Sequence, residues 1–311
     1  MQLVFMGTSG FALPTLEALR RTGHQVLAVY TQPDRPAGRG LKPRPSPVKR
    51  LAQELEIPVV QPQSLRGPAA AGELGQLAPE LAVVVAYGLL LPQAVLDVPR
   101  QGCINLHPSL LPKYRGAAPI NWALINGETE TGAVTIRMSA RMDAGEVLEM
   151  ERVAIGPDED AGLLEERLAL LGADLVLRTV DKISQGRAAG TAQDESLASV
   201  APKLKPDDCR IRWAASGSAI RNLVRGTTPR PGAFTLFRGR RLEVGRIEAW
   251  SDGGHSHEPG AVAGLDHVKG PAVGTGDGTI ILQLVKPEGK RMMTGAEFIR
   301  GYRPAVGERL E

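Results

Sequence analysis

The chain has 311 residues, 42% of them hydrophobic, 23% charged and only 4% aromatic. That is enough for two domains with largely aliphatic cores. No apolar run approaches the ~18 residues of a membrane span, and the start Met1-Gln2-Leu3-Val4-Phe5 lacks a basic leader, so a cytoplasmic protein with no membrane partner is expected. The two cysteines, Cys103 and Cys209, have no C-x-x-C partner and offer neither a disulfide framework nor a zinc site. Net charge is +3, unevenly spread: residues 201–311 hold 18 Lys/Arg against 12 Asp/Glu, a C-terminal excess that suits a polyanion.

In chain order, Gln2–Phe5 reads as a strand that breaks at Gly7-Thr8-Ser9-Gly10. Phe11–Arg21 has the spacing of a helix (Leu13, Leu16, Leu19) and stops at Thr22-Gly23. Val26–Tyr30 predicts the next strand, Val48–Leu55 a helix, and Val59-Val60, Leu81–Ala86 and Cys103–Leu106 further buried strands. Leu81–Ala86 is apolar on both faces, as central strands of parallel sheets are. This alternation predicts an α/β fold with an open, doubly wound, mainly parallel Rossmann-like sheet, whose ligands gather at the carboxyl ends of its strands. Strands near Ala133–Met138 and Val147–Val153 and a long helix Ala161–Ile183 follow. Gln185–Pro206, rich in Gly, Ala and Ser, reads as a linker. Beyond it, short glycine-punctuated strands (Ala233–Arg238, Arg241–Trp250, Ala261–Gly264, Ile280–Lys286) predict a small antiparallel β-barrel of oligonucleotide-binding type. The expected division is 1–188, a linker at 189–206, and 207–311.

Residues 31–49 form an unusual connection, with five prolines and five basic residues (Arg35, Arg39, Lys42, Arg44, Lys49) against one acid, Asp34. Long loops inside compact domains are usually functional, and arginine suits phosphate. The densest chemical constellation is Asn105-Leu106-His107-Pro108-Ser109-Leu110-Leu111-Pro112, at the end of a predicted strand. Asn105 and His107 are two apart and share a face. An amide beside an imidazole suits a developing oxyanion in acyl transfer. Asp143, in Met142-Asp143-Ala144-Gly145, follows another apolar strand and is a candidate to orient that imidazole. Nucleotide-phosphate motifs of the G-x-G-x-x-G and G-x-x-x-x-G-K-[ST] kinds are absent, as is G-x-S-x-G. His255 and His257 read as surface-loop residues.

Asn105-x-His107-x-Ser109-Leu-Leu-Pro112, then Arg115-Gly116 and Asp143, resembles the signature of the 10-formyltetrahydrofolate-dependent formyltransferases. Thr31–Gly40, Pro45–Lys49, Val83–Gly88 and Gly116–Ile120 extend the resemblance toward the branch that acts on tRNA. It is strongest over residues 1–150. The resemblance implies that Asn105, His107 and Asp143 are catalytic. It implies that Ser109, Leu110, Leu111, Pro112 and the segment Tyr87, Gly88, Leu89 to Leu91 line a folate pocket, largely through backbone groups. Arg39, with Lys42, Arg44 and Lys49, would meet the acceptor end of the tRNA, and the C-terminal barrel would touch the same molecule. The implied co-substrate is 10-formyltetrahydrofolate, with no metal, and the implied partner is initiator methionyl-tRNA bound by a monomer. Asp143 is expected to hold His107 charged, raising its pKa above ~6.5. Within the same family, enzymes acting on sugar nucleotides would share the trio but have no use for the basic loop. A non-catalytic RNA-binding protein would not need the trio. The C-terminal part departs from the family at Thr228-Pro229-Arg230-Pro231, where Asn-Pro-x-Pro is usual.

Overall fold

A computed structural model of the chain describes residues 1–37, 42–250 and 257–311. Its first sheet has seven strands: β1 (Gln2–Gly7), β2 (Gln25–Tyr30), β3 (Val59–Val60), β4 (Leu81–Val85), β5 (Cys103–His107), β6 (Glu130–Arg137) and β7 (Val147–Ala154). Their spatial order is β7-β6-β5-β4-β1-β2-β3. The five from β3 to β5 are parallel, and β6 and β7 continue antiparallel. Every residue of β4 is buried, as its unbroken apolar sequence requires. The chain builds β2 and β3 on one side of β1 and then crosses to β4 and β5 on the other. That reversal opens a crevice beyond the carboxyl ends of β1 and β4, which end at Gly7 and Val85. Gly7 is needed there, because a Cβ would stand 2.7 Å from the Phe5 ring and 3.1 Å from the Val85 carbonyl.

The helix Ala161–Ser184 lies against β5 and β6. Its Gly172 leaves room for Leu106, whose Cδ2 would be 2.6 Å from any Cβ, and its Thr179 hydroxyl bonds Thr135 at 2.7 Å in the core. The residues expected to be a free tether behave otherwise. Val200–Ala201 pairs in parallel with Arg115–Gly116, and Gln193, Glu195 and Ser199 bond to side chains and backbone of the same body. Contacts group Met1–Pro119, Glu130–Ala154 and Glu165–Ala201 as one compact unit, and Ile120–Thr129, Ile155–Leu164 and Pro202–Glu311 as the other. The division is therefore not a single cut.

The second unit carries β8 (Ala233–Phe237), β9 (Arg240–Ala249), β10 (Val262–Asp266), β11 (Gly270–Gly274) and β12 (Thr279–Pro287), antiparallel in the order β8-β9-β12-β11-β10. Its edges are linked by the C-terminal residues: Leu236 and Glu311 exchange backbone bonds at 3.0 Å, and the Leu310 N–H reaches Gly260 O at 2.8 Å. The sheet thus curls toward a barrel through single bridges rather than a continuous ladder. Ile155–Leu164 joins this unit, with Arg221 donating to Asp158 and Gly162 lying under Pro229. Thr228, at the position of the departure noted above, closes the helix Gly217–Thr227 by donating to Val224 O.

Phe298 fills the core of this unit between Phe237 and Tyr302, with ring centroids 5.2 and 4.8 Å away. Its helix, Gly295–Tyr302, begins with a capping box in which the Thr294 hydroxyl accepts from Glu297 N and the Glu297 carboxylate accepts from Thr294 N. Thr294 is exposed, so its loss adds no cavity. Thr294→Ala is expected to cost about 1 kcal/mol, seen as a lower urea midpoint with unchanged slope.

Candidate active site

Asn105 and His107 project from one face of β5 at its carboxyl end, where the sheet opens. Asn105 is half-buried, and among the described residues its amide has no hydrogen-bond partner. His107 is 4% exposed. Its Nε2 lies 2.9 Å from the carbonyl of Tyr114. A carbonyl only accepts, so Nε2 carries the proton, and the neutral ring keeps its lone pair on Nδ1. Nδ1 faces Asp143, whose Oδ2 is 3.7 Å away and itself accepts the Gly116 N–H at 2.9 Å.

The backbone around this pair is special. Asp143 has φ 50°, Tyr114 φ 64° and Ala86 φ 46°, all in the left-handed region that non-glycine residues seldom occupy. Gly145 is obligatory: a Cβ there would be 1.6 Å from the Arg137 carbonyl. The loop carrying Asp143 is thus pressed against the end of β6.

Burial is the dominant influence on His107 and pushes its pKa below the ordinary imidazole value, while the Asp143 carboxylate and the hydrogen bond to Tyr114 O pull the other way. This corrects the expectation that Asp143 raises it above ~6.5. The free centre holds a neutral imidazole whose open nitrogen looks at an anion. It is arranged to receive a proton, which Asp143 would then stabilise.

The other expected residues are distributed unevenly. Ser109 is buried, and its hydroxyl donates to Lys113 O at 2.7 Å. Leu111 packs with Val134 and Ile136, and its bond to Pro112 is cis. Leu110 reaches over Gly132. The Tyr87 ring and Leu91 are core residues beneath the crevice, with Leu89 against them. What Tyr87 offers is its carbonyl, which accepts from Thr8 Oγ1 at 2.8 Å and Gln32 Nε2 at 2.9 Å. Gly88, at φ 78°, is exposed beside it. Two clefts elsewhere, of about 530 and 340 Å³, lie at the amino ends of the strands around Glu80 and Arg100 and around Asp97 and Arg137, and contain no comparable acid–base set.

Arg39 lies outside the described residues, as does His255. On either side of Arg39, Arg35–Ala37 and Lys42–Arg44 form a two-stranded hairpin that sets Arg35 directly opposite Arg44. Both are exposed, and neither has an acidic partner among the described residues. Like charges facing each other across a ladder destabilise it unless an anion lies between them. Lys49 is engaged differently: its ammonium bonds both Asp34 oxygens at 2.8 and 2.9 Å, and Gln61 completes the cluster. The lysine secures the base of the hairpin.

Sequence reasoning passed over Gln193, Glu195 and Ser199. Ser199 Oγ accepts from Tyr114 N at 2.9 Å, and Gln193 and Glu195 hold Arg115 and the Asp143 loop. They sit in a low-complexity stretch with no periodicity to mark them.

A Rossmann-like sheet with this Asn/His/Asp set at its carboxyl edge, followed by a curled antiparallel sheet, defines a one-carbon transferase, and the chain belongs to the formyl transferase family. Residues 1–180 match the formyl transferase domain and residues 203–303 its C-terminal domain. Among its relatives, the methionyl-tRNA formyltransferase of Geobacter sulfurreducens is 47% identical over 310 residues, covering all of this chain and 96% of the relative. That of Geobacter metallireducens is 46% identical, covering 100% and 98%. The fold is also shared with an N-formyltransferase from Helicobacter canadensis solved with folinic acid and dTDP-3-aminofucose, at TM-score 0.68 and 16% identity, covering 90% of this chain and 98% of that one.

Proposed function

We propose that the chain transfers the formyl group of 10-formyltetrahydrofolate to the free α-amine of methionyl-initiator tRNA, in the cytoplasm and as a monomer. The full-length likeness to enzymes of that name supports the reaction. One chain supplies every group of the centre, which favours a monomer. The observation that carries the chemistry is the Asn105 amide, unpaired among the described residues, on the same strand face as a neutral His107 whose Nδ1 faces Asp143.

The neutral fraction of the α-amine, roughly a tenth at pH 7 for a pKa of ~8 and more if the pKa is lower, attacks the formyl carbon. A C–N bond forms, and the carbonyl π pair moves onto oxygen. The Asn105 amide donates to that oxyanion. The new ammonium loses a proton to His107 Nδ1, and the resulting imidazolium is stabilised by Asp143 and adds its charge beside the oxyanion. The proton then passes to N10 of the folate, the C–N10 bond breaks, and tetrahydrofolate leaves. The backbone at Tyr87–Gly88 and Leu110–Pro112 lines the folate side, with Ser109 and Leu111 shaping the turn from below and Leu89 and Leu91 supporting the opposite wall.

The hairpin at 35–44 gives the tRNA reading its support. Arg35 and Arg44 form a cationic edge suited to phosphate, while Lys49 holds the edge in place through Asp34. The C-terminal sheet, in the more basic part of the chain, would meet the same polyanion. Incubation with 10-formyltetrahydrofolate and a set of charged tRNAs should formylate methionyl-initiator tRNA selectively. Arg44→Ala should weaken tRNA use and flatten its dependence on log salt by about one unit, as loss of one phosphate contact does. Formylation of an amino-sugar nucleotide in place of tRNA would overturn the reading.

A further inference from the structure

The two arms of the His107–Asp143 pair come from separate loops. One, at 112–116, provides the Tyr114 carbonyl for Nε2 and the Gly116 N–H for the carboxylate. The other, at 141–145, provides Asp143 itself. The Gly116–Asp143 hydrogen bond joins the two loops at one point only, and through a side chain that can rotate. We propose that Gln193, assisted by Glu195, is the positioning residue that fixes the two loops against each other and so sets the His107–Asp143 geometry. This rests on the reading that the pair acts in the reaction.

The amide of Gln193 is fully used. Its Nε2 donates to the Asp143 carbonyl at 2.8 Å and to the Gly145 carbonyl at 2.7 Å. Its Oε1 accepts from Arg115 Nε at 3.1 Å and Nη2 at 2.7 Å. Two donors and two lone pairs are all a carboxamide possesses. Its orientation is also forced, since carbonyls require the NH₂ and a guanidinium requires the oxygen. A side chain that merely tied the 190s to the domain would need one such bond. Four, divided evenly between the two loops, make a rigid spacer. Glu195 bridges the same pair a second time, accepting from Arg115 at 3.0 and 3.1 Å and from Arg141 at 2.9 Å. On its far side the Asp143 loop is already stopped by the contact of Gly145 with Arg137 O. The loop is thus clamped between β6 and Gln193, which explains how Asp143 keeps a left-handed backbone and a carboxylate aimed at Nδ1. Neither Gln193 nor Glu195 bonds His107, so their influence passes through Asp143 and Tyr114.

The test is a double-mutant cycle on the full-length chain, read by single-turnover and steady-state formylation of methionyl-tRNA. Gln193→Met keeps size but loses every bond, and Gln193→Glu keeps the acceptor for Arg115 but loses both donors. Each is expected to lower kcat by about 10- to 100-fold, the effect of a small misplacement, while KM for folate and tRNA stays within about twofold. In an Asp143→Asn background the same changes should cost less than about twofold, since their route to the chemistry is gone. Equal losses in both backgrounds, a rise in KM without a fall in kcat, or a Gln193→Glu enzyme as fast as wild type would each overturn the proposal. Full turnover by Asp143→Asn alone would instead remove the reading of the pair on which it rests.

Discussion

Asn105→Ala is expected to lower kcat by roughly 10²–10³-fold, the usual consequence of deleting one oxyanion donor. The residue sits on β5, whose neighbours β4 and β6 are both hydrogen-bonded to it, so the amide is carried by an interior strand paired on both sides. Among the described residues it bonds to nothing, and at half-burial it is only partly supported by water. An amide free of protein partners is available to donate when charge develops in front of it. Because the oxygen it serves becomes an anion only after attack, the loss should appear in kcat, with KM for folate much less affected. The alanine variant should unfold at the same urea concentration as wild type, since no packed volume of the core is removed. Steady-state kinetics on methionyl-tRNA with both substrates varied would measure this, and full turnover by Asn105→Ala would remove it from the centre.

What the sequence made legible was whatever depends on short spacing. The unbroken apolar run of β4, the i, i+2 relation of Asn105 and His107, and the glycine after Asp143 all carry their meaning within a few residues. Elements whose reason lies elsewhere in the fold were not legible. The strand Gly270–Gly274 contains glycine and proline, yet it pairs between β10 and β12 because its flanks, not its propensity, place it there. Gly270 itself approaches the Leu282 carbonyl so closely that a Cβ would be 2.2 Å away. The helices Gly217–Thr227 and Gly295–Tyr302 carry capping residues, Ser216 and Thr294, but they lie in a glycine-punctuated stretch whose pattern reads as strands. Gln193 could not have been found without knowing which loops it faces. The opposition of Arg35 and Arg44 is a matter of register, invisible until the hairpin is drawn. The net direction of the His107 shift is of the same kind: the carboxylate partner is written in the motif, whereas burial of the ring exists only in the folded chain.

Asp143→Asn should lower turnover steeply, within the 10²–10⁴-fold range of a lost acid–base contribution, and should move the His107 titration downward. In the wild type, burial already depresses the imidazole pKa, and the Asp143 carboxylate and Tyr114 carbonyl partly restore it. Removing the negative charge takes away one restoring influence, so the variant ring protonates only at still lower pH. The sign has a consequence for stability as well. The unfolded chain binds a proton on this histidine below about pH 6.5, while the native state does not until its lower pKa is reached. Stability from His107 is therefore complete above about pH 6.5 and declines as pH falls through the folded value; in Asp143→Asn the decline continues to lower pH. The chain has five histidines, so His107→Gln would assign the resonance in a ¹H–¹⁵N titration. The His107 limb of wild-type kcat/KM should appear only below pH 6.5, as the ring that must accept the amine proton becomes occupied before the substrate arrives, separate from the amine's own titration nearer pH ~8. A His107 resonance titrating above 6.5 in the wild type would reverse the sign, and an identical midpoint in Asp143→Asn would break the coupling. In either case the proton would have to leave the amine by another route, and the 3.7 Å gap between Nδ1 and Oδ2 would be a structural contact rather than a step in the transfer.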